Sequence, residues 1–248
     1  MKRILPWFLV GALLLSLAAC GSEAEESGQN SSAVPLSSFS QAEAETDSAA
    51  ETSSSDTEEA VSQVSGSNIL IAYFTMPEDV DTEGADAVTG ASIVVEDGEV
   101  LGNVEFLATI IQDTVGGDLF QIETVQQYPL EHDALVDQAA QEQDENARPE
   151  LATHIDDLGQ YDTIFLGYPN WWGDLPMPLY TFLEEYDLSG KTIIPFCPHG
   201  GSGFSRTEST IAQMQPGATV SENGLTISRN DVAQSREQVA QWAAGLGL

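Results

Sequence analysis

Residues 163–204 read TIFLGYPNWWGDLPMPLYTFLEEYDLSGKTIIPFCPHGGSGF, and this stretch decides the fold class. Thr163–Gly167 is an apolar run with the length of a strand. A loop with two adjacent tryptophans follows, Tyr168-Pro169-Asn170-Trp171-Trp172-Gly173, and then a helix over Pro178–Tyr186. Thr192–Cys197 reads as the next strand, and Pro195 inside it must sit where its missing N–H does no harm. That strand opens into Pro198-His199-Gly200-Gly201-Ser202-Gly203-Phe204. Working outward, Asn68–Phe74 (NILIAYF) is a continuous apolar run of the kind found in a strand covered on both faces. Asn103 reads as the cap of a helix to about Val115, ended by Gly116-Gly117. Asp118–Thr124 reads as a strand, Glu131–Asn146 as a helix, and the piece from Pro149 to Leu158 as a further helix. Downstream come a helix over Arg206–Met214, a short strand Leu225–Ser228 with Thr219–Val220 beside it, and an amphipathic helix over Asp231–Leu246. Strand and helix alternate five times. Right-handed crossovers turn that alternation into an α/β, doubly wound parallel sheet with helices on both faces. In such sheets the ligand lies beyond the carboxyl ends of the strands, so the loops after the strands carry the candidates.

The whole chain has 248 residues, with 7 Lys+Arg against 40 Asp+Glu and a formal charge of −33. No basic surface exists for nucleic acid, whose binding requires cations to displace phosphate counterions. Two cysteines exclude a disulfide-stapled scaffold, and three histidines leave no basis for a metal centre. Met1–Arg3 is basic and Ile4–Ala19 almost wholly apolar, the pattern of a secretory signal over residues 1–19. The run ends Leu17-Ala18-Ala19-Cys20, which resembles the lipobox of bacterial lipoproteins. That resemblance implies lipid on Cys20 and an extracytoplasmic protein anchored to the cell membrane. Residues 21–67 hold 17 Ser/Thr and 10 Asp/Glu with no Lys or Arg, too little apolar surface to offset ordering entropy, so 20–67 reads as a tether. Residues 68–248 form one domain with 30 acidic and 5 basic residues, a charge of 5 − 30 = −25.

Each loop has a functional and a bland reading. Trp171 and Trp172 are either a platform for a flat aromatic ligand, or one packs on the sheet edge while the other caps a helix. Gly200–Gly203 exposes backbone N–H groups that can approach a ring closely, or is a plain strand-to-helix turn. His199 is the one histidine in these loops and could hydrogen-bond a ligand or move a proton. His132 and His154 fall on helices as surface or satisfied positions. Arg148 is expected to pair with a carboxylate, and Cys197 to be a buried, inert thiol. A phosphoryl-accepting receiver domain would need a carboxylate at the end of the third strand, where this chain has Gly167-Tyr168.

Residues 163–204 resemble the flavodoxin family, in particular a flavodoxin-like bacterial lipoprotein branch with a YPNWW loop. The resemblance implies a five-stranded sheet of order 2-1-3-4-5 that binds FMN non-covalently. It implies that Pro169, Asn170, Trp171, Trp172 and Gly173 hold one face of the flavin, and that His199, Gly200, Gly201 and Ser202 bound its other edge. Thr75 would start the phosphate loop. The family pattern there, Ser/Thr-x-Thr-Gly-x-Thr before the first helix, lets successive N–H groups converge on the anion. This chain instead has Thr75-Met76-Pro77-Glu78 and about 24 further residues before Asn103. Gly102-Asn103-Val104 would then have to complete the cradle. The expected function is extracytoplasmic electron transfer, as a carrier or a small-acceptor or quinone reductase fed by a membrane partner. The competing expectation is a surface binding lipoprotein of the same fold that has lost FMN.

Overall fold

The computed structural model describes residues 68–83, 87, 88 and 92–248; the signal segment, Cys20 and the tether lie outside the described residues. In chain order the strands are β1 (Ile69–Tyr73), β2 (Ala87–Val88), β3 (Ile93–Glu96), β4 (Glu99–Gly102), β5 (Asp118–Gln121), β6 (Thr163–Gly167), β7 (Thr192–His199), β8 (Thr219–Val220) and β9 (Leu225–Ser228). The helices are α1 (Asn103–Val115), α2 (His132–Glu145), α3 (Met177–Glu185), α4 (Thr207–Met214) and α5 (Arg236–Gly245). The main sheet runs β5-β1-β6-β7, with its fifth position shared by β8 and β9, and every pairing is parallel. This is the expected order 2-1-3-4-5.

The uninterrupted apolar run of β1 follows from its central place. Ile69, Ile71 and Tyr73 point into a core layer shared with Phe106, Leu107, Ile110 and Ile111 of α1 and Val239 of α5. Leu70, Ala72 and Phe74 point the other way, against Leu135 of α2, Leu179 and Phe182 of α3 and Ile211 of α4. Alternation along a strand sends neighbouring side chains to opposite faces, so both faces demand apolar residues.

Pro195 is accommodated by a break in the edge. Ile193 O of β7 accepts the Ser221 N–H, so Ile193 and, by alternation, Pro195 turn their peptide groups toward the fifth position. There β8 pairs with Thr192 and Ile193, β9 starts at Phe196, and residues 221–224 bulge between them. Neither pairing includes Pro195, so its missing N–H breaks neither ladder. The two short strands thus lie end to end along β7, not side by side as the sequence suggested.

Other expectations need correction. The segment from Pro149 to Leu158 is not a helix. It runs extended against residues 123–125, with Val125 N–H donating to Glu150 O, Ala152 N–H to Glu123 O, and a Thr124–Leu151 bridge. Only a single 3-10 turn forms, at Leu158–Gln160. The strand expected over Asp118–Thr124 ends at Gln121 for the same reason. The C-terminal helix starts at Arg236, after a separate turn at Val232–Gln234. Asn103 does not cap α1: Gly102 holds the cap position and Asn103 is the first helical residue. Residues 79–102, read as one long loop, contain an antiparallel three-stranded sheet β2-β3-β4 whose last turn is Asp97-Gly98, both at positive φ (51° and 86°). Arg236 of α5 ties this hairpin down through Glu96, at 2.6 Å.

Candidate functional site

The loops after β1, β6, β7 and β9 meet the N-terminus of α1 and one side of α2 around a single cleft. Its walls are Thr75, Met76 and Glu78 after β1, Ser92 of the inserted segment, Asn103 and Val104 of α1, and His132, Leu135, Val136 and Ala139 of α2. Pro169–Trp172, Pro198–Gly200 and Arg229 complete them. This is the carboxyl edge of the sheet, where the topology places a ligand.

At one end the two separated parts of the loop after β1, Thr75 and residues 102–104, come together. Thr75 is buried, and Gly102 approaches it so closely that a Cβ on Gly102 would lie 2.0 Å from Thr75 Oγ1. The inserted sheet therefore returns the chain to its starting point and sets α1 directly beside Thr75. Asn103 N–H donates to Ser92 O at 2.8 Å, which pins the insertion to the helix. The other first-turn N–H groups of α1 have no helical acceptor. Asn103 is 3% exposed, and its Oδ1 is a buried side-chain atom without a hydrogen-bond partner. Which amide atom faces which way is settled by hydrogen bonding, so an anion there would turn the Nδ2 donor toward itself.

Glu78 stands in the same loop as a nearly inaccessible carboxylate, its side chain 4% exposed. His132, at the first residue of α2, contacts it through Nδ1 at 3.0 Å. His132 thus gains a partner that the sequence did not reveal, because positions 78 and 132 meet only through the loop–helix packing.

The two tryptophans take different roles. Trp171 is partly buried and meets Phe74 and Tyr128 edge-on, with ring centroids 5.5 and 5.6 Å away. Trp172 is 60% exposed, and its indole N–H donates to Val136 O of α2 at 3.3 Å. Trp172 thus meets α2 within the helix and does not cap it, and both rings line the cleft. Trp172 has φ 52° and Gly173 φ 78°, in a tight turn closed by hydrogen bonds between Trp171 and Asp174 in both directions. A left-handed tryptophan is costly, and such strain collects at functional loops. Asn170 spends its side chain joining loops: Nδ2 donates to Gly203 O and Ser205 Oγ, and Oδ1 accepts Gly173 N–H. Asp174, 2% exposed, accepts from Tyr180 O–H and from the Arg206 guanidinium, which fastens the loop to the start of α4.

On the far side, His199 Nδ1 accepts Gly201 N–H at 2.9 Å, which leaves Nε2 to carry the proton of the neutral ring. His199 and Gly200 line the cleft, whereas Gly173, Gly201 and Ser202 stand outside its wall among the described residues. Burial pushes the Cys197 thiol far above the ordinary range, in keeping with an inert group. Arg148 pairs with Glu184 and His154 with Glu185, away from the cleft. Sequence reasoning missed Ser92, the α2 wall and Arg229. Only the Asp97-Gly98 hairpin signature hinted that the insertion was ordered.

Residues 94–246, more than half of the chain, match the sequence profile of the family described as Flavodoxin. The chain belongs to the flavodoxin family. Among solved structures this flavodoxin-family chain is similar to a protein of Bacteroides uniformis assigned as a flavoprotein, at 28% identity and TM-score 0.54, covering 71% of this chain and 97% of that one. A second such protein, from Bacteroides eggerthii, is 24% identical with TM-score 0.49, covering 69% and 97%. A flavoprotein of Lactobacillus acidophilus solved in complex with FMN is 19% identical with TM-score 0.46, covering 67% and 96%. No curated protein sequence matches the chain.

Proposed function

We propose that this flavodoxin-family chain binds FMN in the cleft and transfers electrons outside the cytoplasm, tethered to the membrane by lipid on Cys20. The observation that carries the reading is Asn103, whose Oδ1 is buried without a partner at the start of α1 beside Thr75. An unsatisfied buried polar atom is costly, and with the amide turned over Nδ2 would donate to an anion at the helix N-terminus. Thr75, Asn103 and the free first-turn N–H groups of α1 would hold the phosphate. The rings of Trp171 and Trp172 offer apolar surface to a flat ring system, and His199 offers its remaining ring N–H. Bound FMN would supply the one- and two-electron chemistry, while the chain supplies position and field. The charge of −25 on residues 68–248 disfavours further negative charge in the cleft and so biases the cofactor toward a low potential. The membrane part of the proposal rests on the Met1–Cys20 pattern.

One observation favours the flavin-free binding protein instead: Glu78 puts a buried carboxylate into the loop that would hold a phosphate. An absorbance spectrum of the full chain, purified with and without added FMN, separates the two. Bound flavin bands with quenched fluorescence support the electron-transfer reading. A colourless protein that takes up no FMN overturns it in favour of the binding protein.

A further inference from the structure

The domain's five basic residues divide unevenly. Arg148, Arg206 and Arg236 pair with Glu184, Asp174 and Glu96, and Lys191 donates to Tyr161 O. Of these five basic residues, all among the described ones, only Arg229 has a side chain with neither a hydrogen bond nor an ion pair. In a domain with 30 acidic residues a free guanidinium is the exception, and this one lines the cleft. Its backbone is fixed, since Arg229 N–H donates to His199 O at 2.8 Å where β9 ends beside β7. Its guanidinium lies beside Gly200, 3.8 Å from where a Cβ on that residue would stand, and both residues line the cleft.

Arg229 is rooted at the other end of the cleft from the phosphate held at Thr75 and Asn103. Thr75 follows β1, with the start of α1 beside it, and Arg229 follows β9, three strands along the order β1-β6-β7-β9. Three strand spacings are about 14 Å. The cleft is therefore polarised, with the Glu78 carboxylate at the β1 end and the Arg229 cation at the β9 end. Because screening confines a surface charge to about 8 Å, Arg229 acts only on what enters the cleft. An acidic protein surface would first meet the domain's own negative field, whereas a small molecule would not be held off to the same degree.

We propose that Arg229, with His199 and the open Gly200 beside it, binds the acidic group of a small planar electron acceptor carrying a carboxylate or sulfonate. The inference rests on the FMN reading, and it adds a substrate class to it.

The test is equilibrium binding, with no electron donor present, of 1,4-naphthoquinone and 1,4-naphthoquinone-2-sulfonate to the FMN-loaded full chain, followed by the flavin difference spectrum. The sulfonate is expected to bind roughly fivefold more tightly than the parent quinone, a margin that salt reduces. Arg229→Gln is expected to abolish the difference while retaining FMN, and Arg236→Gln, away from the cleft, to keep it. Equal affinities in the wild type, or a margin that survives Arg229→Gln, overturns the inference while leaving the FMN reading intact. Failure of the wild type to load FMN at all overturns the FMN reading, and the inference with it.

Discussion

Gly102 and Thr75 touch across a folded insertion, with Thr75 Oγ1 lying 2.0 Å from where a Gly102 Cβ would be built. A methyl group at 102 has to push either the hydroxyl or the start of α1 aside. Gly102→Ala is expected to lower stability by about 1–3 kcal/mol and to cost more in FMN uptake than in folding. Urea unfolding followed by FMN titration of the same sample separates these effects. Unchanged FMN affinity would remove Thr75 and α1 from the cofactor site.

Glu78 and His132 set the charge at the same end of the cleft. Glu78→Gln removes a buried negative charge and is expected to tighten FMN binding roughly tenfold. His132→Ala leaves the carboxylate without its partner and is expected to weaken both FMN binding and folding, the latter by about 1–3 kcal/mol. Isothermal titration of the two variants checks the opposite signs.

The tryptophans should separate stability from binding. Trp171→Ala empties space against Phe74 and Tyr128 and is expected to cost about 2–3 kcal/mol. Trp172→Ala, at an exposed position, is expected to cost less than about 1 kcal/mol. Its loss should show instead as brighter flavin fluorescence in the loaded protein, measured beside the wild type at equal FMN occupancy.

All six tyrosines of the chain are held neutral beyond their ordinary range, chiefly by desolvation, with Tyr73 and Tyr161 pushed up to about 12. A phenol whose folded value is raised keeps its proton while the unfolded chain loses it. Stability is therefore unaffected below pH about 10 and falls as pH rises from about 10 toward 12. An ultraviolet titration should show tyrosinate appearing late and together with unfolding. A normal tyrosinate step near pH 10 in the folded protein would contradict this burial.

Cys197 lies within β7, fully buried, with its thiol pushed well above the usual range by burial. The peptide carrying it should stay unmodified by iodoacetamide at pH 8 in the native chain and react once the chain is denatured, as read by mass spectrometry.

The sheet was legible because β1, β6 and β7 are buried on both faces and so carry apolar runs that no helix phase explains. The loop residues of the cleft followed from topology, since only segments after strands can reach that edge. What stayed hidden depends on contacts between distant segments. Residues 149–158 have a helical composition, yet their backbone groups find partners at residues 123–125. Asn103 has a capping side chain, yet Gly102 takes the cap because Thr75 leaves no room for a Cβ there. His132 reads as a surface or satisfied helix position and Arg229 carries no sequence signal, until α2 and β9 bring them to the cleft.

The gap that accommodates Pro195 also shapes how these molecules behave when crowded together. The outer border of the sheet consists of a two-residue and a four-residue strand separated by a bulge, so no long row of unpaired peptide groups is presented to a neighbour. A broken border of this kind resists strand-to-strand recruitment. At high concentration that interruption would act as protection against self-association, supplied by one imino acid and the four residues across from it.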